Sequence, residues 1–137
     1  MTVPDKNHII ETLSNKHNCR LTNITRKQIM FEGKCNGQRI VVCTPKSKIH
    51  EKGSGWFDLN MAQVEILDEA NIAILAVRLE GSKVYYVDFK ELRKLITPEL
   101  IVFSKIIGKH WKFFVWETHI QIQGSKKKFD VQPELVS

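Results

Sequence analysis

The chain has 137 residues, a hydrophobic fraction of 42%, a charged fraction of 26% and a net charge of +6. That length suits one domain able to bury a core without metals or disulfides, and the composition is that of an ordinary soluble globule. The longest apolar run, residues 72–77, is too short to span a bilayer, and the polar start MTVPDKNH holds no apolar signal segment, so a cytoplasmic protein with no membrane partner is expected. Cys19, Cys35 and Cys43 form no CxxC pair and no zinc-like spacing with the scattered histidines, which predicts free buried thiols. The basic excess points to a polyanionic partner, DNA or RNA, against an incidental basic surface.

Along residues 5–17, Ile9, Ile10 and Leu13 recur at helical spacing behind Pro4, which a first turn tolerates, and predict an amphipathic helix. Leu21 and Ile24 predict a strand over 19–25, and QIMFE a second over 28–32. Asn36-Gly37 accepts positive φ at both turn positions and predicts a hairpin. The returning strand, RIVVCT over 39–44, is apolar enough to be central, and Pro45 closes its ladder. Residues 46–55 read as a loop carrying Lys46, Lys48, His50 and Lys52 ahead of Gly53-Ser54-Gly55. Trp56, Phe57 and Asp58 read as the head of a helix over 61–69, with Asn60 as its cap and Gln63 in the capping-box position. On this reading Asp58 is a helix-start carboxylate that favours the positive end of the dipole.

IAILAVRL over 72–79 predicts a buried strand, Glu80-Gly81-Ser82 a turn, and KVYYV over 83–87 the returning strand. Asp88 predicts the cap of a short helix, FKELRKLI, with Glu91 three residues on, and Pro98 ends that unit. Residues 112–116 and 119–123 predict two further strands, Lys126, Lys127 and Lys128 a loop, and the tail a frayed end. The order α-β-β-β-α-β-β-α-β-β predicts one α/β or α+β domain over 1–137, with a mixed central sheet flanked by helices. If the step from 39–44 to 72–79 is parallel, it is right-handed.

The order and texture of residues 36–95 resemble the PD-(D/E)xK nuclease family, which includes restriction endonucleases and archaeal Holliday-junction resolvases. NGQRIVVCTPKSK looks like the family's hairpin and second catalytic strand. GWFDLNMAQVEILDEANIAILAVRLEGSKVYYVDF looks like the helix and strand downstream of it. The resemblance implies a restriction-endonuclease-like core over about 5–96, a C-terminal β extension over 97–137, and a homodimer. It also implies that Gln63 stands near the active site and that Glu11 matches an acid on the first helix.

Members of the family hold Mg2+ on an Asp and a Glu with a Lys beside them, so that the metal polarises the phosphate and activates water. Here the family Glu falls on Cys43 and its Lys on Pro45, or, one residue earlier, on Val42 and Thr44. Thr25, Arg26 and Lys27 stand where the upstream Asp belongs. The expectation is a nucleic-acid-binding protein of nuclease-like fold, without metal-dependent phosphodiester cleavage and without a cofactor. One alternative is an active Mg2+-dependent endonuclease whose acidic site is rearranged among Asp58, Glu11, Glu32 and Glu51, with Gln63 beside it. Another is a homodimeric protein-interaction domain.

Lysines at alternate positions of an extended segment point to one side, so Lys46, Lys48 and Lys52, with His50, are the candidates for phosphate contact, together with Lys126, Lys127 and Lys128. Trp56 and Phe57 read as anchors of the helix on the core. In KIIGKHWKFFVW, over 105–116, Lys112, Phe114 and Trp116 share one face of a strand and Phe113 and Val115 the other. Aromatics on both faces favour core or interface over a nucleic-acid platform.

Overall fold

Helix α1, Lys6–His17, opens the computed structural model, which describes residues 3–49 and 53–136. The Asp5 side chain accepts from the Asn7 N–H at its start, and Asn18 ends it in the left-handed conformation at φ 52°. Ile9, Ile10 and Leu13 are buried, as their spacing predicts.

Strands β1 (Thr22–Asn23), β2 (Met30–Cys35) and β3 (Gln38–Cys43) follow as an antiparallel meander. Asn36 and Gly37, with φ of 53° and 79°, make the predicted hairpin turn. Strand β2 starts later than the sequence predicts. Residues 24–29 are taken up by a turn in which Lys27 N–H donates to Ile24 O, closed by Ile24 N–H donating to Met30 O.

Beyond Pro45 come β4 (Lys46–Ser47), β5 (Gly55–Asn60), helix α2 (Met61–Glu69), β6 (Ile72–Leu79) and β7 (Lys83–Asp88). Helix α3 is short, Phe89–Leu92, and continues as a 3-10 turn over Arg93–Leu95 rather than as the full predicted helix. There Arg93 turns back to donate to Ile96 O and to pair with Asp68 of α2. Pro98 opens a further 3-10 turn, Pro98–Leu100. Strands β8 (Val102–Ser104), β9 (Gly108–Val115), β10 (His119–Ile122), β11 (Phe129–Asp130) and β12 (Glu134–Leu135) complete the chain. The tail is not frayed at β12, which pairs with β7.

The result is a mixed α+β structure with two sheets. The first runs β1-β2-β3-β6-β7-β12, with β4 also on β6. It is antiparallel except where β6 lies parallel to β3 and to β4. The β3–β6 step crosses over through α2, from Ile40 opposite Ile72 to Cys43 opposite Leu75. The second sheet runs β11-β10-β9-β5, with β8 also on β9.

One face of the first sheet meets α1 through Phe31, Ile40, Val42, Ala76 and Val84. The other face, with Met30, Val41, Leu75, Val77 and Tyr85, meets α2 and the inner face of the second sheet. Alternation along each strand assigns its side chains to these two layers. Burying one such side chain is worth roughly 1.5–3 kcal/mol. The Tyr85 hydroxyl faces the carbonyls of Trp116 and Glu117 at 3.1 and 3.3 Å and ties the two sheets together. Arg78, buried on the α1 side, donates to Thr44 O and Pro4 O and so fastens the end of β3 to the start of α1.

Two further expectations are overturned. Trp56, Phe57 and Asp58 do not head a helix. They lie in β5, where Gly55, Phe57 and Leu59 turn inward and the whole strand pairs with β9. Cys19 and Cys35 are not free thiols. They form a disulfide across the end of α1 and the end of β2, whose Cα atoms stand 5.6 Å apart, within the span a disulfide bridges. Cys43 is free and buried. Among the described residues no helix is long and apolar enough to cross a membrane.

Candidate functional site

The end of β3 is where β4 and β5 meet, and Ser47 holds them together. Its buried hydroxyl accepts from Trp56 N–H at 2.8 Å and donates to Lys48 O at 2.8 Å. Gly55 makes this approach possible, because a Cβ there would collide with the Leu79 side chain and lie 3.1 Å from Ser47 Oγ. Lys46 in β4 and Lys48 just beyond it are exposed on either side of the buried Ser47.

A cavity of about 520 Å3 opens beside these lysines, lined by Ile29, Pro45, Lys46, Lys48, Trp56 and Asp58 among others. Cys43, one strand-end away, is fully buried opposite Met30. Burial pushes its thiol up to about 12, with the Arg78 guanidinium pulling weakly the other way, so it is no nucleophile at neutral pH.

Asp58 stands on the outer face of the second sheet, opposite Lys112 of β9 and one row from His110. Its Oδ1 is buried, has no hydrogen-bond partner and lies 3.7 Å from His110 Nε2. His110 Nδ1 is 2.9 Å from Gly108 O. A carbonyl only accepts, so Nδ1 carries the proton and Nε2 is the atom that faces Asp58. Burial raises the Asp58 carboxyl above its ordinary range, while His110 and Lys112 oppose that rise. The Lys112 ammonium lies 4.6 Å from the centre of the Trp56 ring and 5.7 Å from that of Phe114.

The other sequence candidates are dispersed. Glu32, on β2, accepts from Arg39 Nε and Nη2 at 3.2 and 3.0 Å, and Arg39 also reaches Glu69 of α2 at 3.6 Å. That network ties the hairpin to the helix. Gln63 is occupied by the predicted capping box, its side chain accepting from Asn60 N–H while Asn60 accepts from Gln63 N–H. Glu11 is exposed on α1, across the first sheet from α2 and the second sheet. Lys126, Lys127 and Lys128 are exposed between β10 and β11, at the opposite edge of the second sheet from β5. His50, Glu51 and Lys52 lie outside the described residues.

Among the described residues no three of His, Cys, Asp and Glu stand close enough to share a metal ion, and Asp58 is the only carboxylate lining the cavity. Lys112 lies opposite it and Lys46 and Lys48 share its cavity, charges that oppose a dication. This donor set does not fit the two-carboxylate Mg2+ site that the resemblance implies.

The residues that sequence reasoning missed as companions of Asp58 are His110, Lys112 and Phe114. Their shared face is visible in the alternation of KHWKFF. The strand they pair with is not, because 56–58 reads as a helix start. No family model, curated protein or solved structure matches the chain.

Proposed function

We propose that the chain binds nucleic acid along the basic lip formed by β4 and β5, on a nuclease-like frame that lacks the family's hydrolytic chemistry. The observation that carries this reading is the pair Lys46 and Lys48, both exposed on either side of Ser47, which is buried and bonded to Trp56. Both lysines line the cavity, held there by the anchored backbone. Each phosphate they meet releases condensed counterions, which gives affinity that falls with salt and is blind to sequence.

Two further observations support the frame. The order α1-β1-β2-β3-β4-β5-α2-β6, with β6 parallel to β3 and the β4–β5 segment inserted between β3 and α2, is compatible with a restriction-endonuclease-like core. Val42 and Cys43, the positions that align with the family's catalytic Glu, are fully buried in the core. A carboxylate there would meet apolar side chains, and neither an aliphatic side chain nor a buried neutral thiol supplies the oxygen ligands that Mg2+ takes.

Fluorescence anisotropy with a labelled oligonucleotide, read across a salt series, tests the reading. Binding should weaken steeply as salt rises, and the same oligonucleotide should remain intact in Mg2+ or Mn2+. Salt-independent binding would remove the basic lip from the account, and metal-dependent nicking lost in Asp58→Ala would replace it with a rearranged nuclease.

A further inference from the structure

The outer face of the second sheet carries an aromatic surface that the basic lip does not explain. Trp56 of β5 stands opposite Phe114 of β9, which stands opposite Gln121 of β10. In the next row Trp116 packs against His119, with ring centres 6.2 Å apart. In the row on the other side are Asp58 and Lys112. Trp56 is 38% exposed, Phe114 and Trp116 are half-buried, and none of the three belongs to either hydrophobic core cluster. Their counterparts on the inner face, Phe57 and Phe113, behave differently. Those two rings stack at 4.7 Å and are buried.

We infer that this face stacks unpaired bases, so that single-stranded nucleic acid is the form the chain prefers. The inference rests on the nucleic-acid reading above and names its substrate class. Three observations point to this occupant. Aromatic rings on a sheet face accept any base, because every base has a π-face, but the bases of a duplex are already stacked on one another. The charge on the face suits a polyanion. The Lys112 ammonium reaches both rings from the adjacent row, and its one acidic neighbour in that row, Asp58, is already faced by His110. The platform is also continuous with the lip, because Trp56 lines the cavity shared with Lys46 and Lys48. A strand whose bases lie on Trp56 and Phe114 thus has Lys112 beside the rings and Lys46 and Lys48 in the adjoining cavity for its phosphates.

Lys112 rests on the Trp56 ring that a base would occupy. An exposed cation–π contact of this kind is worth roughly two- to five-fold in an equilibrium. A stacked base is worth roughly 5- to 150-fold. The base wins the ring, and the displaced ammonium is left to pair with a phosphate.

The test compares a labelled single strand of mixed sequence with the same strand annealed to its complement, using anisotropy and intrinsic tryptophan fluorescence. The single strand should bind more tightly and quench the fluorescence. Trp56→Ala and Phe114→Ala should each weaken single-strand binding by roughly 5- to 150-fold with the salt slope nearly unchanged, and should leave the duplex little affected. Trp56→Phe, which keeps a ring, should retain most of the affinity while losing much of the quench. Lys112→Met should lower the salt slope by about 0.7. Equal affinity for strand and duplex, or unchanged single-strand affinity in Trp56→Ala, would overturn the platform while leaving the lip intact. Binding of neither form at low salt, or self-association through this face blocked by Trp56→Ala in place of binding, would overturn both readings.

Discussion

The Oδ1 atom of Asp58 is buried 3.7 Å from His110 Nε2 with no hydrogen bond of its own, in a strand otherwise fully paired to its neighbour. A carboxylate in this position gives up water and gains only partial return from His110 and Lys112. Among the described residues this Oδ1 is the one buried side-chain nitrogen or oxygen without a hydrogen-bond partner.

Because burial is the larger influence, the folded chain protonates Asp58 at a pH where the unfolded chain is still ionised. Between the ordinary value near 3.8 and the raised folded value, the native state therefore binds more protons than the unfolded state. Stability contributed by this group is present below that window and is lost as pH rises through it. Asp58→Asn removes the ionisation and lets the amide donate to His110 Nε2. Its urea midpoint should exceed the parent's at pH 7, and the gain should shrink as pH falls towards 3.8. A constant difference across that range would show that another group controls the dependence.

Gly55 is required for space. Its backbone is extended, and a Cβ there would strike Leu79 and crowd Ser47, both packed at the β4–β5 junction. Gly55→Ala should destabilise the fold by about 1–3 kcal/mol in denaturant unfolding. It should also weaken nucleic-acid binding, because Ser47 cannot then hold Lys46 and Lys48 in register. A neutral substitution would mean that Leu79 swings away at no cost.

The Cys19–Cys35 disulfide closes a loop with a sequence separation of 16 and tethers the end of α1 to the end of β2. Reduction should lower the unfolding free energy by about 2–4 kcal/mol. Alkylation and mass spectrometry check the pairing. The oxidised native chain should take up no label, the oxidised unfolded chain one label at Cys43, and the reduced unfolded chain a label at each cysteine. Labelling of the native oxidised chain at Cys19 or Cys35 would contradict the bond.

Much of the fold is legible where a local device decides it. Asn36-Gly37 supplies a cheap route to two positive φ values in a row, and Asn60 with Gln63 leaves a capping signature that no other element competes for. The apolar run of β6 is buried on both faces because α1 covers one and α2 the other. Position 56–58 is different. Gly55-Trp56-Phe57-Asp58-Leu59 alternates with period 2, but a five-residue alternation next to a strong helix cap is ambiguous. Its partner, β9, lies far along the chain, and only that pairing decides in favour of a strand. The candidate site inherits this ambiguity. Lys46 and Lys48 are readable from alternation alone, whereas the Asp58–His110–Lys112 grouping exists only once β5 and β9 are joined. The Cys19–Cys35 pairing is hidden for the same reason. Their spacing carries no motif, and it is the packing of α1 against β2 that brings them together.

The central claim is that Lys46 and Lys48 contact phosphates, and the salt dependence of binding measures this most directly. For the parent chain, log K should fall linearly with log salt concentration. In Lys46→Ala/Lys48→Ala the slope should flatten by about 1.4–1.8, the release expected from two lost phosphate contacts. An unchanged slope and affinity in the double variant would contradict the account.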